Sequence, residues 1–462
     1  MRQRHYKNGA SALYFSSLNR LTKLIKIAIL VLSFYERFFE MEIKVYPRVF
    51  ESFKKQKIYF ELSENCEELF VKIQGMEKYT VPHKDWRIDE SYRYPLLSLT
   101  KERENLYSLE YDFKDEQRYC IGFKSGDKYI KNAYVYAVNS DLARLRVFKG
   151  DTHLHTTGSD GAESPFDTAI SFRKAGFDFI AITDHHKMAP SLEGKEKVEA
   201  LTSYLSVFRG EEVHNKDMGY FHIVNFGGKT SVNTIIETNE AYVQQKLDEI
   251  KKSESFPENV NIDNCAFRIF VANEIRRGGG LAIFAHPFWE DYGEYNAETE
   301  DAIFLLKNGY FDALEVLAGC DYSGTGNNLQ ESLWCELRAM GVNIPVLGAS
   351  DSHRTQSEPT KFNKQFSLVF AEKSEDIPSS VKRGLSVAVE RRSGVDFRCI
   401  GQYRFVKYAR YLMDSFYPEY EELCRAHAEA LALCENSAPS EVLRLAEKRI
   451  DEYKARFFAF GI

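Results

Sequence analysis

Apolar and polar positions alternate in short runs from residue 41 to about residue 145: KIYFELS, ELFVKIQG, YPLLSLT, LYSLEYDF, YCIGFKSG and YIKNAYVYAV. A period of two turns successive side chains to opposite faces of a strand, so one face can be buried while the other stays wet. Runs this short, separated by polar and glycine turns, predict an antiparallel β-sandwich over residues 41–145. None of them gathers metal-binding side chains, which makes the segment a packing or specificity domain.

Near residue 146 the rhythm changes. LRVFKGDTHLH reads as a short strand, SPFDTAISFRKAGF as a helix and FDFIAITDHH as a second strand. The helix carries its own start signals: Ser164 as N-cap, Pro165 at the first position and Asp167 in the first turn. Strand, helix, strand implies a parallel pair, and the unit recurs in EIRRGGGLAIFAHP, FDALEVLAG, LQESLWCELRAMGVNIPVLGASDSH and FSLVFAEKSEDIPSSVKRGLSVAVE. A repeated β-α unit with polar residues at the carboxyl ends of its strands predicts an α/β barrel or open sheet with its site on that rim. Residues 228–266 form an insertion with the polar helix NEAYVQQKLDEIKKS, a solvated decoration in preference to a lid. After residue 400 helical apolar spacing (Phe405, Ala409, Leu412, Met413) with a break near Pro418 predicts a helical cap or oligomer contact. The expected layout is an N-terminal extension 1–40, a β-sandwich 41–145, a barrel 146–398 and a helical extension 399–462.

Composition narrows this picture little. At 462 residues the chain exceeds one hydrophobic core, and 44% apolar and 14% aromatic residues are ample core material. A net charge of −7 excludes an extended electropositive grip on duplex nucleic acid but leaves room for a small anionic substrate. The eight cysteines are scattered with no C-x-x-C pair, as expected of free thiols in a reducing cytoplasm rather than a cysteine zinc site. In LTKLIKIAILVLSFYERFF the apolar run from Ile27 to Tyr35 is too short for a membrane span of ~20 residues. The strand-like MEIKVYPRVFE that follows favours a true start at Met41 over a signal anchor.

Charged chemistry collects where the apolar strands end. RVFKGDTHLH closes on His153 and His155, with Asp160 in the next loop; DFIAITDHH closes on Asp184, His185 and His186. LSVFRGEEVH supplies Glu211, Glu212 and His214, GYFHIVNFG supplies His222, LAIFAHP ends in His286, and PVLGASDSH ends in Asp351 and His353. Eight of the eleven histidines fall between residues 151 and 353, less than half the chain. One strand-end histidine is ordinarily a satisfied surface or core group. Five or six such endings in a β-α repeat converge on one rim, where buried carboxylates would repel one another unless cations neutralised them. Imidazoles mixed with carboxylates suit zinc, manganese or iron better than magnesium or calcium.

The ordered set GDTHLHTTGSDG, AITDHH, RGEEVH, FHIVNFG, FAHP and GASDSH resembles the PHP family of metal-dependent phosphoesterases, named for polymerase and histidinol phosphatase, over residues 150 to about 390. A β-rich segment ahead of KGDTHLHTTGSDG is also similar to a branch of carbamate and amide hydrolases. The resemblance implies a distorted (β/α)7 barrel holding two or three divalent ions. It implies one ion on His153, His155 and Asp351, with Glu212 bridging to a second on His222 and His286, and a third on Asp160, His185 and His353. Glu211 would face away from them by strand alternation.

A hydroxide bridging two metals is then the expected nucleophile. His186 or His353 could protonate the leaving group, and Lys187 or Arg354 could hold a second phosphate or carboxylate. The expected activity is a metal-dependent phosphoesterase acting on a small phosphate ester, nucleotide or short oligonucleotide. Alternatives are an amide, carbamate or ester hydrolase with the same metals, and a non-catalytic metal- and ligand-binding protein.

Overall fold

The computed structural model describes residues 41–66, 68–77, 96–126, 128–214, 221–291, 293–319, 324–357, 362–392 and 396–460. The N-terminal apolar run lies outside them. The chain divides into two compact units, one with residues 41–46, Lys55–Tyr111 and Cys120–Tyr134, the other with Pro47–Lys54, Asp112–Tyr119 and Val135–Ile462.

In the first unit the alternating runs form strands. Ile43–Tyr46 pairs antiparallel with Lys55–Leu62, Thr100–Arg103 with the strand that starts at Leu106, and Leu69–Gly75 with Leu97–Ser98. The apolar members of each period turn inward: Ile58, Phe60, Val71, Ile121 and Phe123 are fully buried. Phe60 and Phe123 meet edge to face at 5.3 Å. Burial of a side chain of this size contributes ~1.5–3 kcal/mol.

The second unit carries the α/β repeat. Arg146–Asp151, Phe179–Ala181 and Ser206–Phe208 are successive parallel neighbours, as are Leu281–Phe284, Ala313–Ala318 and Val346–Ala349. After Arg209 the chain continues as Gly210–Val213, which joins the second sheet through Ile223–Phe226. Past the strand ends the sheets touch again: Leu154 bridges Ser352 and His185 bridges Glu212, both parallel. Side chains from both sheets, among them Phe179, Val224, Ile283, Ala313, Leu347 and Val369, share one buried cluster.

Two features depart from a uniform β-α repeat. Ile223–Phe226 runs antiparallel to both its neighbours, and Gln365–Ala371 runs antiparallel to Arg146–Asp151. Alternation and apolar content specify a strand and its faces but not its direction, and the connections leading into both strands hold no crossover helix among the described residues. Helix Pro165–Lys174 starts as its sequence predicts, with the Ser164 hydroxyl accepting from Asp167 N. Helix Glu240–Ser253 lays Val243 and Leu247 into the core beside helix Ile262–Arg277. No helix among the described residues is long and apolar enough to cross a membrane. Every described cysteine is a free thiol.

Helices Tyr403–Ser415, Tyr417–Ala432 and Glu441–Phe457 follow the last strand within this same unit. Phe405 and Tyr408 stack on Phe370 at 5.5 and 5.7 Å. Buried Arg173 donates through Nε to His427 Nδ1 at 3.2 Å and lies 3.2 Å from Asp178. His427 Nε2 donates to Thr202 Oγ1 at 3.2 Å, and that hydroxyl donates to Glu447. His427 thus accepts on one nitrogen and donates from the other, the neutral form. Burial, then the Arg173 charge, pushes its pKa down to about 2.

The unfolded histidine titrates near ~6.5, so between that pH and about 2 the unfolded chain holds a proton the native chain refuses. This contribution to stability is whole above ~6.5 and falls as the pH drops. The urea midpoint of the wild type should decline from pH 6.5 to 5 more steeply than that of His427→Gln. The corresponding difference in unfolding free energy should approach ~1.4 kcal/mol per pH unit. Parallel profiles would contradict this assignment.

Candidate metal centre

The carboxyl ends of the parallel strands carry most of the histidines and acids to one place, and the reversed strand Ile223–Phe226 brings His222 there from its amino end. The residues just past Asp151 are fixed by backbone bonds to their neighbours: Asp351 N donates to His153 O at 2.9 Å, His155 N to Ser352 O at 2.8 Å, and Glu212 N to Thr183 O at 3.0 Å. Gly150 permits the approach, since a Cβ there would stand 2.0 Å from the Phe179 ring. Gly161 permits the loop after His155 to fold back, because its Cβ would lie 2.5 Å from the His155 carbonyl.

Three overlapping groups result, the potential ligand atoms of each lying within 4.8 Å of one another: His153, Glu212 and His286; His153, His155 and Asp351; and His155, Asp160, His185 and His353. Glu212 is the hub. Its Oε2 lies 2.9 Å from His185 Nδ1, 3.3 Å from His153 Nε2 and 3.5 Å from His155 Nε2. Its Oε1 lies 2.6 Å from His222 Nδ1 and 3.6 Å from His286 Nε2. Asp351 Oδ1 lies 2.9 Å from His155 Nε2 and 3.4 Å from His153 Nε2, and Asp160 Oδ2 lies 3.3 Å from His353 Nε2. His222 meets the cluster through Glu212 and stands outside the three groups. The groups share His153 and His155, whereas the resemblance implies sharing through Glu212.

Hydrogen bonding accounts for only part of this cluster. Glu212 is fully buried, yet both its oxygens lack a donor in hydrogen-bonding alignment, as do the buried nitrogens His153 Nε2, His185 Nδ1, His222 Nε2 and both nitrogens of His286. The short N···O approaches to Glu212 are charge contacts without that alignment, whereas His155 Nε2 and Asp351 Oδ1 are hydrogen-bonded at 2.9 Å. Burial alone would raise the Glu212 and Asp351 carboxyls, but the surrounding imidazoles hold both well below the usual carboxylate range. His353 shows the reverse: burial would lower it, while Asp160 and Asp351 carry it up to about 9. His214 is pushed down to about 4 by burial and by His222. Mixed imidazole and carboxylate donors, buried and lacking aligned partners, fit divalent ions of the zinc, manganese or iron kind.

Backbone strain falls on the same residues. His186, His286 and Asp351 have φ of 60°, 22° and 47°, in the left-handed region that side chains other than glycine seldom occupy. His186 sits outside the three groups, with its ring 5.2 Å from that of His214 and 6.5 Å from that of His185. Arg354 is exposed next to His353, and Lys187 donates to Gly158 O at 2.9 Å.

A second set of acids holds the frame. Asp151 accepts from His153 N at 3.0 Å and from Ser350 N at 3.1 Å, and burial raises its carboxyl to about 7. Asp184 accepts from Thr156 N and Ser159 N at 2.8 and 2.9 Å, and Glu163 from Thr355 N and Gln356 N at 3.1 and 3.0 Å. Glu211 faces away from Glu212 and accepts from Val232 N and Ser231 Oγ, both at 2.6 Å, at the start of helix Val232–Thr238. Glu315 was missed by sequence reasoning. Its buried Oε1 lies 3.0 Å from His153 Nδ1, a contact that directs Nε2 into the cluster. The signal was available: a charged residue inside the wholly buried strand ALEVLA requires a partner.

No protein-family model matches the chain. A stretch of 83 residues is 35% identical to the DNA polymerase/3'-5' exonuclease PolX of Bacillus subtilis (strain 168), covering 16% of this chain and 15% of that protein. The chain therefore spans about a seventh of that relative's length. Among solved structures it is similar to a two-domain protein of Bacteroides vulgatus containing a predicted PHP-like metal-dependent phosphoesterase (18% identity, 53% of this chain and 65% of that one, TM-score 0.37). It is also similar to a Bifidobacterium adolescentis protein described as a metal-dependent phosphoesterase (17% identity, 44% and 87%, TM-score 0.32). A third is an amidohydrolase from Chromobacterium violaceum with bound sulfate and no metal (16% identity, 45% and 88%, TM-score 0.30).

If Glu315 orients His153, Glu315→Gln should keep the fold yet weaken retention of added zinc or manganese by ~10–100-fold. Competition with a chromogenic chelator measures this, with circular dichroism as the control for folding. An unchanged chelator midpoint would remove Glu315 from the site.

Proposed function

We propose that this chain is a metal-dependent hydrolase of the PHP type, acting on a small phosphate ester. The observation that carries the reading is Glu212, a buried carboxylate whose two oxygens face five imidazoles with no aligned hydrogen-bond donor. An arrangement of that kind is costly to bury by itself and suits divalent cations shared among its members. The two sheets, joined through residues 208–210 and through the Leu154 and Ser352 bridge, support reading residues 146–398 as one distorted (β/α)7 barrel.

In this reading His153, His155, Asp160, His185, Glu212, His222, His286, Asp351 and His353 hold two or three ions. Bound divalent ions supply Lewis acidity and a lowered pKa for water. The protein's part is positional. Glu212 sets its two oxygens against five imidazoles, Glu315 directs His153, and Asp151 holds the His153 and Ser350 turns together. His186, outside the ligand groups yet beside His185, is the group we assign to protonate the leaving oxygen. Arg354 lies at the exposed rim, where it can meet a substrate anion. In hydrolysis water adds to phosphorus, the bond to the leaving oxygen breaks, and that oxygen takes up the proton.

Purified protein should release phosphate from a panel of monoesters only with divalent metal. Exhaustive chelation should abolish turnover and readdition restore it, while His153→Ala and Glu212→Ala should each lose at least ~10³-fold in kcat. Turnover of aryl carbamates or amides alone would replace the phosphoesterase reading by the acyl one. Metal binding without hydrolysis of any panel member would leave a binding protein. Chelation should also lower the melting temperature, because ions bound to the native cluster stabilise it by mass action. A melting temperature indifferent to chelator would count against the cage itself.

A further inference from the structure

Beside the His222 and His286 side of the cluster stands one aromatic residue that neither the ligand set nor the mechanism uses. Trp289 is half-buried, with its ring centroid 5.2 Å from that of His222 and 5.7 Å from that of His286. The indole therefore packs beside these imidazoles while keeping part of its surface exposed.

The backbone around Trp289 is held unusually firmly for a rim loop. Trp289 N donates to His286 O, Asn296 N donates to Trp289 O and Ala297 N donates to Pro287 O, each at 2.9 Å. Asn296 Nδ2 reaches Ala285 O at 3.3 Å, and buried Arg268 donates to Asn296 O at 2.7 Å. The Arg268 guanidinium also lies 4.4 Å over the ring of Phe221, the residue before His222. One buried arginine thus braces both segments that flank the tryptophan, and the strained φ of 22° at His286 sets the start of its turn. The residue next to it on the rim is the exposed acid Glu290, which disfavours a second anion there.

We propose that Trp289 is a preorganised stacking platform for the leaving group, and that the preferred substrates carry a planar, uncharged aromatic ring such as an aryl or nucleoside group. A half-exposed indole beside a charged centre offers a π face to any such ring, and stacking of this kind is worth ~1–3 kcal/mol per ring. An aliphatic leaving group gains little from it. This inference rests on the hydrolase reading for its role, but the binding step can be measured without turnover.

The test uses full-length, metal-loaded protein and two non-hydrolysable probes, phenylphosphonate and ethylphosphonate, titrated by calorimetry. Trp289→Leu should weaken phenylphosphonate by about tenfold while ethylphosphonate shifts less than twofold, and Trp289→Phe should retain most of the aryl preference. Equal weakening of both probes would make Trp289 a cover for the imidazoles and overturn the proposal. So would no change in either probe, or wild-type protein that binds neither. Hydrolysis of phenyl phosphate by the wild type is scored separately. Its absence together with a selective loss of phenylphosphonate would reject the hydrolase and keep the platform.

Discussion

A carboxylate taken wholly out of water without an aligned hydrogen bond is the constraint on which this structure turns. Glu212 lies among five imidazoles, and neither of its oxygens is satisfied in the ordinary way. Desolvation of such a group costs several kcal/mol. The imidazoles answer part of that cost by their charge when protonated, but like charges packed with ring centroids 4.2 and 4.4 Å apart oppose one another in turn. Divalent cations resolve both conflicts together, since they need neutral imidazoles and ionised carboxylates. The positive φ values at His286 and Asp351 fit this view, because strain is tolerated where the surrounding structure over-determines a functional geometry.

Residue type alone does not distinguish the acids that form the cluster from those that frame it. The partners do. Asp151, Asp184, Glu163 and Glu211 each accept backbone N–H groups and are satisfied by them, whereas Glu212 is surrounded by ring nitrogens. Glu211 and Glu212 are adjacent in sequence and opposite in fate: one opens a helix outside the sheet and the other faces inward. A strand's period of two is sufficient to separate them.

This division also shows what could be read from the chain. The polar endings of apolar strands and the Ser164 cap follow from periodicity and local hydrogen bonding, while periodicity sets Glu211 and Glu212 on opposite faces and the PHP resemblance implies that Glu212 is the inward one. Strand direction does not, so the antiparallel Ile223–Phe226 and Gln365–Ala371 appear only in three dimensions. The sharing of His153 and His155 between groups was hidden for a related reason, since membership is set by distances between loops that no spacing encodes. Glu315 hid in plain view, an acid within an apolar strand whose partner lies 162 residues away.

In the proposed reaction, metal ions that activate water and polarise an oxygen act at the bond being broken and make no contact with the distant part of the leaving group. Selectivity must therefore come from the rim, in contacts worth ~1–3 kcal/mol each. Long cationic side chains there lose rotamer freedom whenever they grip a ligand, and Lys187 already spends one donor on Gly158 O. Trp289 differs, because its backbone is hydrogen-bonded on both sides, the Arg268 brace holds the neighbouring segment, and its ring packs against His222 and His286. In the proposed reading, an aromatic surface whose ordering cost falls on folding rather than on binding is the rim group best placed to discriminate among leaving groups.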